Sequence, residues 1–153
     1  MAEYTVTVSW ARGEDPFLAQ RYSREHRWRF DGGVEVPASA SPHVVRAPWS
    51  QVAAVDPEEA LVASLSSCHM LFFLSLASKA GFVVDRYEDA AIGVMGKNAA
   101  GKEAMTSVTL RPLVVWSGEK RPGADDLAKL HHESHERCYI ANSVNFPVEV
   151  AAR

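Results

Sequence analysis

The 153-residue chain lacks most of the features that place a sequence directly in a class. It has only two cysteines, Cys68 and Cys138, too few for a disulfide-stapled scaffold. It has no excess of positive charge. Sixteen Lys and Arg against nineteen Asp and Glu leave a formal net charge of -3, so the basic footprint of a nucleic-acid binder is absent. There is no internal repeat, no low-complexity tract, no G-x-G-x-x-G and no G-x-x-x-x-G-K-[ST], so nucleotide-binding folds gain no support. The start, MAEYTVTVSW, has neither the charged beginning nor the apolar run of a secretory signal. A reducing cytoplasm is therefore expected, with each cysteine a small core residue or a reactive thiol.

What is present is an ordinary globular composition, 47% hydrophobic and 23% charged. It is enough for one domain over 1–153 with a substantial core. One segment tests the expectation of no membrane contact. Ala60 to Ser78 carries no formal charge and approaches the ~20 residues of a membrane span. It also holds Ser64, Ser66, Ser67, His69, Ser75 and Ser78, with Glu58 and Glu59 before it and Lys79 after. A helix apolar nearly all round is more simply one buried in a core or a dimer interface.

Alternation predicts a strand at Thr5–Trp10 and another over Tyr22–Phe30. Asp31-Gly32-Gly33 supplies a tight turn, and Val34–Val36 returns. Pro37 to Val55 reads as a long ordered loop. Asp56, Pro57 and Glu59 form a D-x-x-E helix start, and the helix should run to about Ala80 and stop at Gly81. Val83–Met95 and Met105–Trp116 are expected as strands around a turn at 97–102, with Pro112 marking a bulge or an edge. Ala124–Arg137 is expected as a second helix and Asn145–Val150 as a final edge strand. Strands and helices do not alternate strictly, so the class is α+β with antiparallel sheet.

The candidate chemistry lies with the cysteines. Cys68 falls mid-helix beside His69, and Cys138 falls at the end of the second helix. Both could be inert buried residues. A thiol becomes reactive only if a cation, a helix N-terminus or a hydrogen-bond donor lowers its pKa. A rival constellation exists: His131, His135 and Cys138 are spaced i, i+4, i+7, and with distant Cys68 they could form a zinc module. A third alternative is a small-ligand binder without chemistry.

The run Asp56-Pro57-Glu58-Glu59-Ala60-Leu61 through Ser66-Ser67-Cys68 resembles the N/D-P-E-x-L…C helix of the OsmC/Ohr family. That family comprises osmotically inducible and organic-hydroperoxide-resistance proteins. The resemblance extends to the helix exit Lys79-Ala80-Gly81-Phe82 and to Cys138-Tyr139-Ile140-Ala141-Asn142-Ser143. It implies antiparallel sheets around a long central helix in an intertwined homodimer. It also implies a thiol peroxidase for organic or lipid hydroperoxides, with no cofactor and no metal. Cys68 would be the peroxidatic residue and Cys138 the resolving residue, and a dithiol or lipoylated protein would restore both thiols. The family's glutamate maps onto Glu58. Ten residues of helix separate Glu58 from Cys68, about 15 Å at ~1.5 Å per residue, so a shared site needs Glu58 from a partner subunit. The family's arginine maps less surely. Arg24 is the first candidate, placed among Tyr22, Trp28 and Phe30 and expected to meet a carboxylate; Arg21 and Arg46 are the others. Three departures stand out: Tyr139 where a proline often follows the second cysteine, His69 after the first, and a long loop at Ser41–Trp49.

Overall fold

The computed structural model describes residues 1–153. The chain forms two compact units, Met1–Ala60 and Leu61–Arg153.

In the first unit, strands β1 (Val6–Ser9), β2 (His26–Phe30) and β3 (Glu35–Ala38) form an antiparallel meander in the order β1-β2-β3. The register pairs Val8 with Trp28 and Trp28 with Val36. The turn closes at Gly33, whose φ of 86° lies in the left-handed region that a residue without Cβ enters freely. The predicted strand from Tyr22 is shorter than expected and starts at His26. Residues 15–25 instead wrap a cluster of rings: Phe17 stacks on Tyr22 at 4.7 Å, and Trp10 meets both. Side-chain packing there overrides the alternating pattern. The long loop is ordered, as expected. The Ser39 hydroxyl accepts from the Gln51 amide at 2.9 Å, and the Trp49 carbonyl accepts from the Arg24 amide at 2.9 Å. The amides of Ser39 and Val55 close a short parallel bridge between 38 and 55.

Helix α1 (Pro57–Lys79) starts where the sequence places it. Asp56 Oδ1 accepts from the Glu59 amide at 2.8 Å, and Glu59 Oε2 accepts from the Asp56 amide at 3.3 Å. This reciprocal cap stabilises the start by about 1 kcal/mol. The helix also ends as expected. Gly81 has φ of 81°, the Phe82 amide donates to the Ala77 carbonyl and the Gly81 amide to that of Ser78, each at 3.0 Å. Such a left-handed stop is completed when the residue after the glycine packs back on the helix, and Phe82 joins Ala77 in one core cluster.

The second unit carries strands β4 (Val83–Asp89), β5 (Ile92–Lys97), β6 (Glu103–Leu110), β7 (Pro112–Ser117) and β8 (Val148–Val150), and helix α2 (Ala124–Arg137). The expected two long strands are four. Each breaks near its middle, so that β4 pairs with β7 in one sheet and β5 with β6 in another, all antiparallel. Asp89 fixes the break: its Oδ1 accepts from the Arg111 amide at 2.6 Å and its Oδ2 from the Ser66 hydroxyl of α1 at 2.5 Å. Pro112 begins β7 beside that break, which a residue without an N–H tolerates. β8 is the edge of its sheet but runs parallel to β6, an exception to the expected antiparallel pairing.

One stripe of α1 is buried: Leu65, His69, Phe73 and Ala77, spaced four residues apart. Phe73 and Ala77 join Phe82 and Leu130 under β4 and β7; Leu65 joins Val108 and Leu110. The helix is long and apolar enough to cross a membrane, and 28% of its apolar window is buried within the chain.

Candidate active site

Cys68 projects from α1 half-buried, and Cys138 caps the C-terminal end of α2 at 1% exposure; both are free thiols. α2 ends there because the Cys138 backbone turns extended, at φ -66° and ψ 110°. Its amide still reaches back to the His135 carbonyl at 3.2 Å. The Cys138 sulfur accepts from the Ala141 amide at 3.3 Å. Burial first, and then a hydrogen bond with Cys68, push the Cys138 thiol up to about 11, against the opposing donation from Ala141 and Ile140. The two thiols, seventy positions apart in sequence, are therefore near enough to influence each other's ionisation.

Beside Cys68 opens a cavity of about 470 Å³, lined by Ser64, Ser67, Leu71, Phe72, Ser75, Tyr139 and Ile140. Its walls are largely apolar, with Tyr139 meeting Phe72 edge-on at 5.1 Å. Phe72 is thus part of a pocket wall, whereas Phe73 is core. A cavity of this size accepts an amphipathic small molecule, its apolar body on Leu71, Phe72 and Tyr139 and a polar end near the serines and thiol.

The other candidates fall differently. Glu58 stands in the first turn of α1 with its Oε2 buried and unpartnered. Arg24 lies before β2 rather than on it. Its guanidinium covers the Tyr22 ring at 3.7 Å and donates to the Tyr22 and Gln20 carbonyls. The aromatic neighbour agrees with the sequence reading, but the carboxylate expected there is replaced by backbone oxygens.

The zinc constellation does not assemble, because no three His, Cys, Asp or Glu side chains converge to hold an ion. His131 turns instead to His69. Their rings stack at 5.4 Å with 10° between planes, and His69 Nε2 lies 3.1 Å from His131 Nδ1. Burial, then the neighbouring His131 and His135, hold His69 down at about 4. Burial lowers His131 too, with Asp89 pulling the other way. The sequence reading missed this pair. The available signal was His69's place in the stripe Leu65–Phe73–Ala77, where a polar ring demands a partner.

Set against known proteins, residues 50–153 match the family described as OsmC-like protein. No curated protein matches. Among solved structures, an OsmC-like protein of unknown function from Vibrio cholerae is 51% identical, with a TM-score of 0.99 and complete coverage of both chains. The organic hydroperoxide resistance protein OhrB of Bacillus subtilis is 18% identical, at TM-score 0.71 over 99% of this chain and 98% of its own. One from Elizabethkingia anophelis is 14% identical, at 0.73 over 99% and 96%. At those two identities the likeness is one of fold. With two thirds of the chain inside the family's pattern and half of all residues shared with a relative along its whole length, this chain belongs to the OsmC-like family.

Proposed function

We propose that this protein is a thiol peroxidase that reduces organic, including lipid, hydroperoxides. The observation that carries the reading is the interaction of Cys68 with Cys138 beside an apolar cavity. The names of two structural relatives, organic hydroperoxide resistance proteins, point the same way. The Cys68 thiolate attacks the terminal oxygen of ROOH, the O–O bond breaks, and the alkoxide leaves and takes a proton as ROH. Cys68 is then a sulfenic acid. Cys138 enters as the thiol, its proton joins the departing hydroxide as water, and the S–S bond forms. A dithiol, free or on a lipoylated protein, returns both residues to thiols in a reducing compartment. In this proposal Arg24 supplies the cation that favours thiolate and alkoxide, and Glu58 orients it. The whole chain acts as one domain.

The test is direct. Reduced protein mixed with excess cumene or fatty-acid hydroperoxide, without reductant, should consume one equivalent per chain and lose both thiols to one intramolecular disulfide. Consumption no faster than that of free cysteine would end this reading.

The working form we propose is a homodimer. A helix uncharged from Ala60 to Ser78 with Leu71 61% exposed, and a β1 with Val6 and Val8 at 52% and 60%, present apolar surface of the kind a second copy covers. Light scattering on purified protein should give twice the 16.8 kDa chain mass. A monomer mass at micromolar concentration would remove Glu58 from the site.

A further inference from the structure

One buried cluster has no task in the reaction above. His69 on α1 and His131 on α2 are 1% and 8% exposed, and they join the two helices through a single nitrogen-to-nitrogen hydrogen bond of 3.1 Å. His69 Nδ1 is buried with no partner. An orphaned buried donor is costlier than an under-used acceptor, so the proton of His69 sits on Nε2 and is donated to His131 Nδ1. His131 then carries its own proton on Nε2.

In this arrangement both rings are neutral, and a charge on either is buried. A proton added to His69 lands on Nδ1, where nothing accepts it. A proton added to His131 lands on Nδ1, facing the Nε2–H of His69. The bond is then lost, unless His69 switches tautomer and creates the same orphaned donor. The surroundings do little to rescue a charge. Phe73 of α1 stacks on His131 at 4.5 Å. His135 of α2 repels a charge on His69. Asp89 of β4 attracts one on His131, but its oxygens already accept from Ser66 and Arg111. Tyr87 of β4, packed on Phe73, offers only a buried phenol without a partner. Cys68 precedes His69 on α1, and Cys138 is the C-cap of α2, seven residues or ~10 Å of helix beyond His131.

We propose that the His69–His131 pair is an acid-sensitive latch that holds the end of α2, and with it Cys138, against the Cys68 helix, and that opens when either ring takes up a proton. The latch deepens the peroxidase reading, because opening would separate the resolving thiol from its partner. Its test does not depend on that reading. The sign follows from linkage. A released histidine binds a proton near pH 6.5, whereas docked His69 refuses one down to about 4. Between those values falling pH favours release.

The test uses the full chain with Cys68→Ser, which leaves Cys138 as the sole thiol. It is labelled with 2,2′-dithiodipyridine, which stays reactive in acid, and each rate is normalised to free glutathione at the same pH. The normalised rate should rise on the order of fiftyfold from pH 7 to pH 4.5, as one group that binds its proton near 6.5 when released and near 4 when docked requires. With His69→Gln and His131→Asn both added it should stay flat, because neither ring of the pair is left to take up a proton. With His69→Gln it should also stay flat, because the amide accommodates either state of His131. A flat profile without these changes, or the same rise in the folded His69→Gln protein or the folded double variant, overturns the latch. Should circular dichroism show both variants unfolded, the ring titrations of the Cys68→Ser protein decide. Both rings titrating in step with release supports the latch, and either titrating as an ordinary histidine without release overturns it. No hydroperoxide enters this experiment, so failure of the peroxidase reading and failure of the latch are read separately.

Discussion

Cys68→Ser is expected to abolish hydroperoxide consumption, down to the rate of a protein-free blank. A thiolate is the nucleophile in this chemistry, and a fraction of any thiol is ionised near neutrality. A serine hydroxyl is not, and nothing at position 68 would activate one. Cys138→Ser is expected to behave differently. Cys68 still reacts once, so one equivalent of hydroperoxide is consumed per chain and the sulfenic acid forms. With no thiol opposite, that acid is left to a second hydroperoxide, which carries it to the sulfinic acid. Intact-mass measurement should find the oxidised species on Cys68, and a second addition of hydroperoxide should meet inactive protein. The Cys138 thiol, held up at about 11, is a poor nucleophile in bulk terms, so its contribution comes from being in place. Normal repeated turnover by Cys138→Ser with a dithiol reductant would take Cys138 out of the mechanism, and residual turnover by Cys68→Ser would take out Cys68.

Much of this molecule is legible where the information is local. The cap at Asp56 and Glu59 and the stop at Gly81 need only a few neighbouring residues, and both occur as expected. α2 runs over Ala124–Arg137, as its pattern predicts. Legibility fails where a distant contact decides. Nothing around Ala90 and Ala91 signals that the chain leaves one sheet for another; the decision lies in Asp89 gripping both Ser66 and Arg111. The parallel pairing of β8 with β6 is likewise a matter of assembly.

The site divides along the same line. That Cys68 and Cys138 are near enough to influence each other's ionisation could not be read from spacing, since seventy intervening positions fix no distance; the family resemblance supplied their pairing as an expectation. Arg24 was legible as an arginine among aromatics, but its hydrogen-bond partners were not, because Gln20 and Tyr22 turn their carbonyls toward it only once the chain leaves the strand. His131 shows the reverse error. Its i, i+4, i+7 relation to His135 and Cys138 is real along the chain. The helix, however, directs His131 inward to His69 and leaves the expected metal ligands apart.

The stability of the second unit is expected to depend most on Phe73. It is fully buried, and it touches a ring from each neighbouring element: Tyr87 of β4 at 5.6 Å, Trp116 of β7 at 5.8 Å and His131 of α2 at 4.5 Å. Phe73→Ala removes the shared partner of all three. Three rigid rings held by separate elements collapse poorly into the gap, so both the lost transfer energy and the cavity apply, costing about 3–5 kcal/mol. For a chain of this length the midpoint of thermal unfolding should fall on the order of 10 °C. Urea unfolding at fixed protein concentration checks it, since self-association would otherwise enter the comparison. Phe73→Leu, which refills most of the volume, should cost markedly less. A cost under ~1 kcal/mol for Phe73→Ala would mean that the elements around it are free to close the cavity. The junction of α1, β4, β7 and α2 would then not be the rigid support on which Cys138 depends for its place beside Cys68.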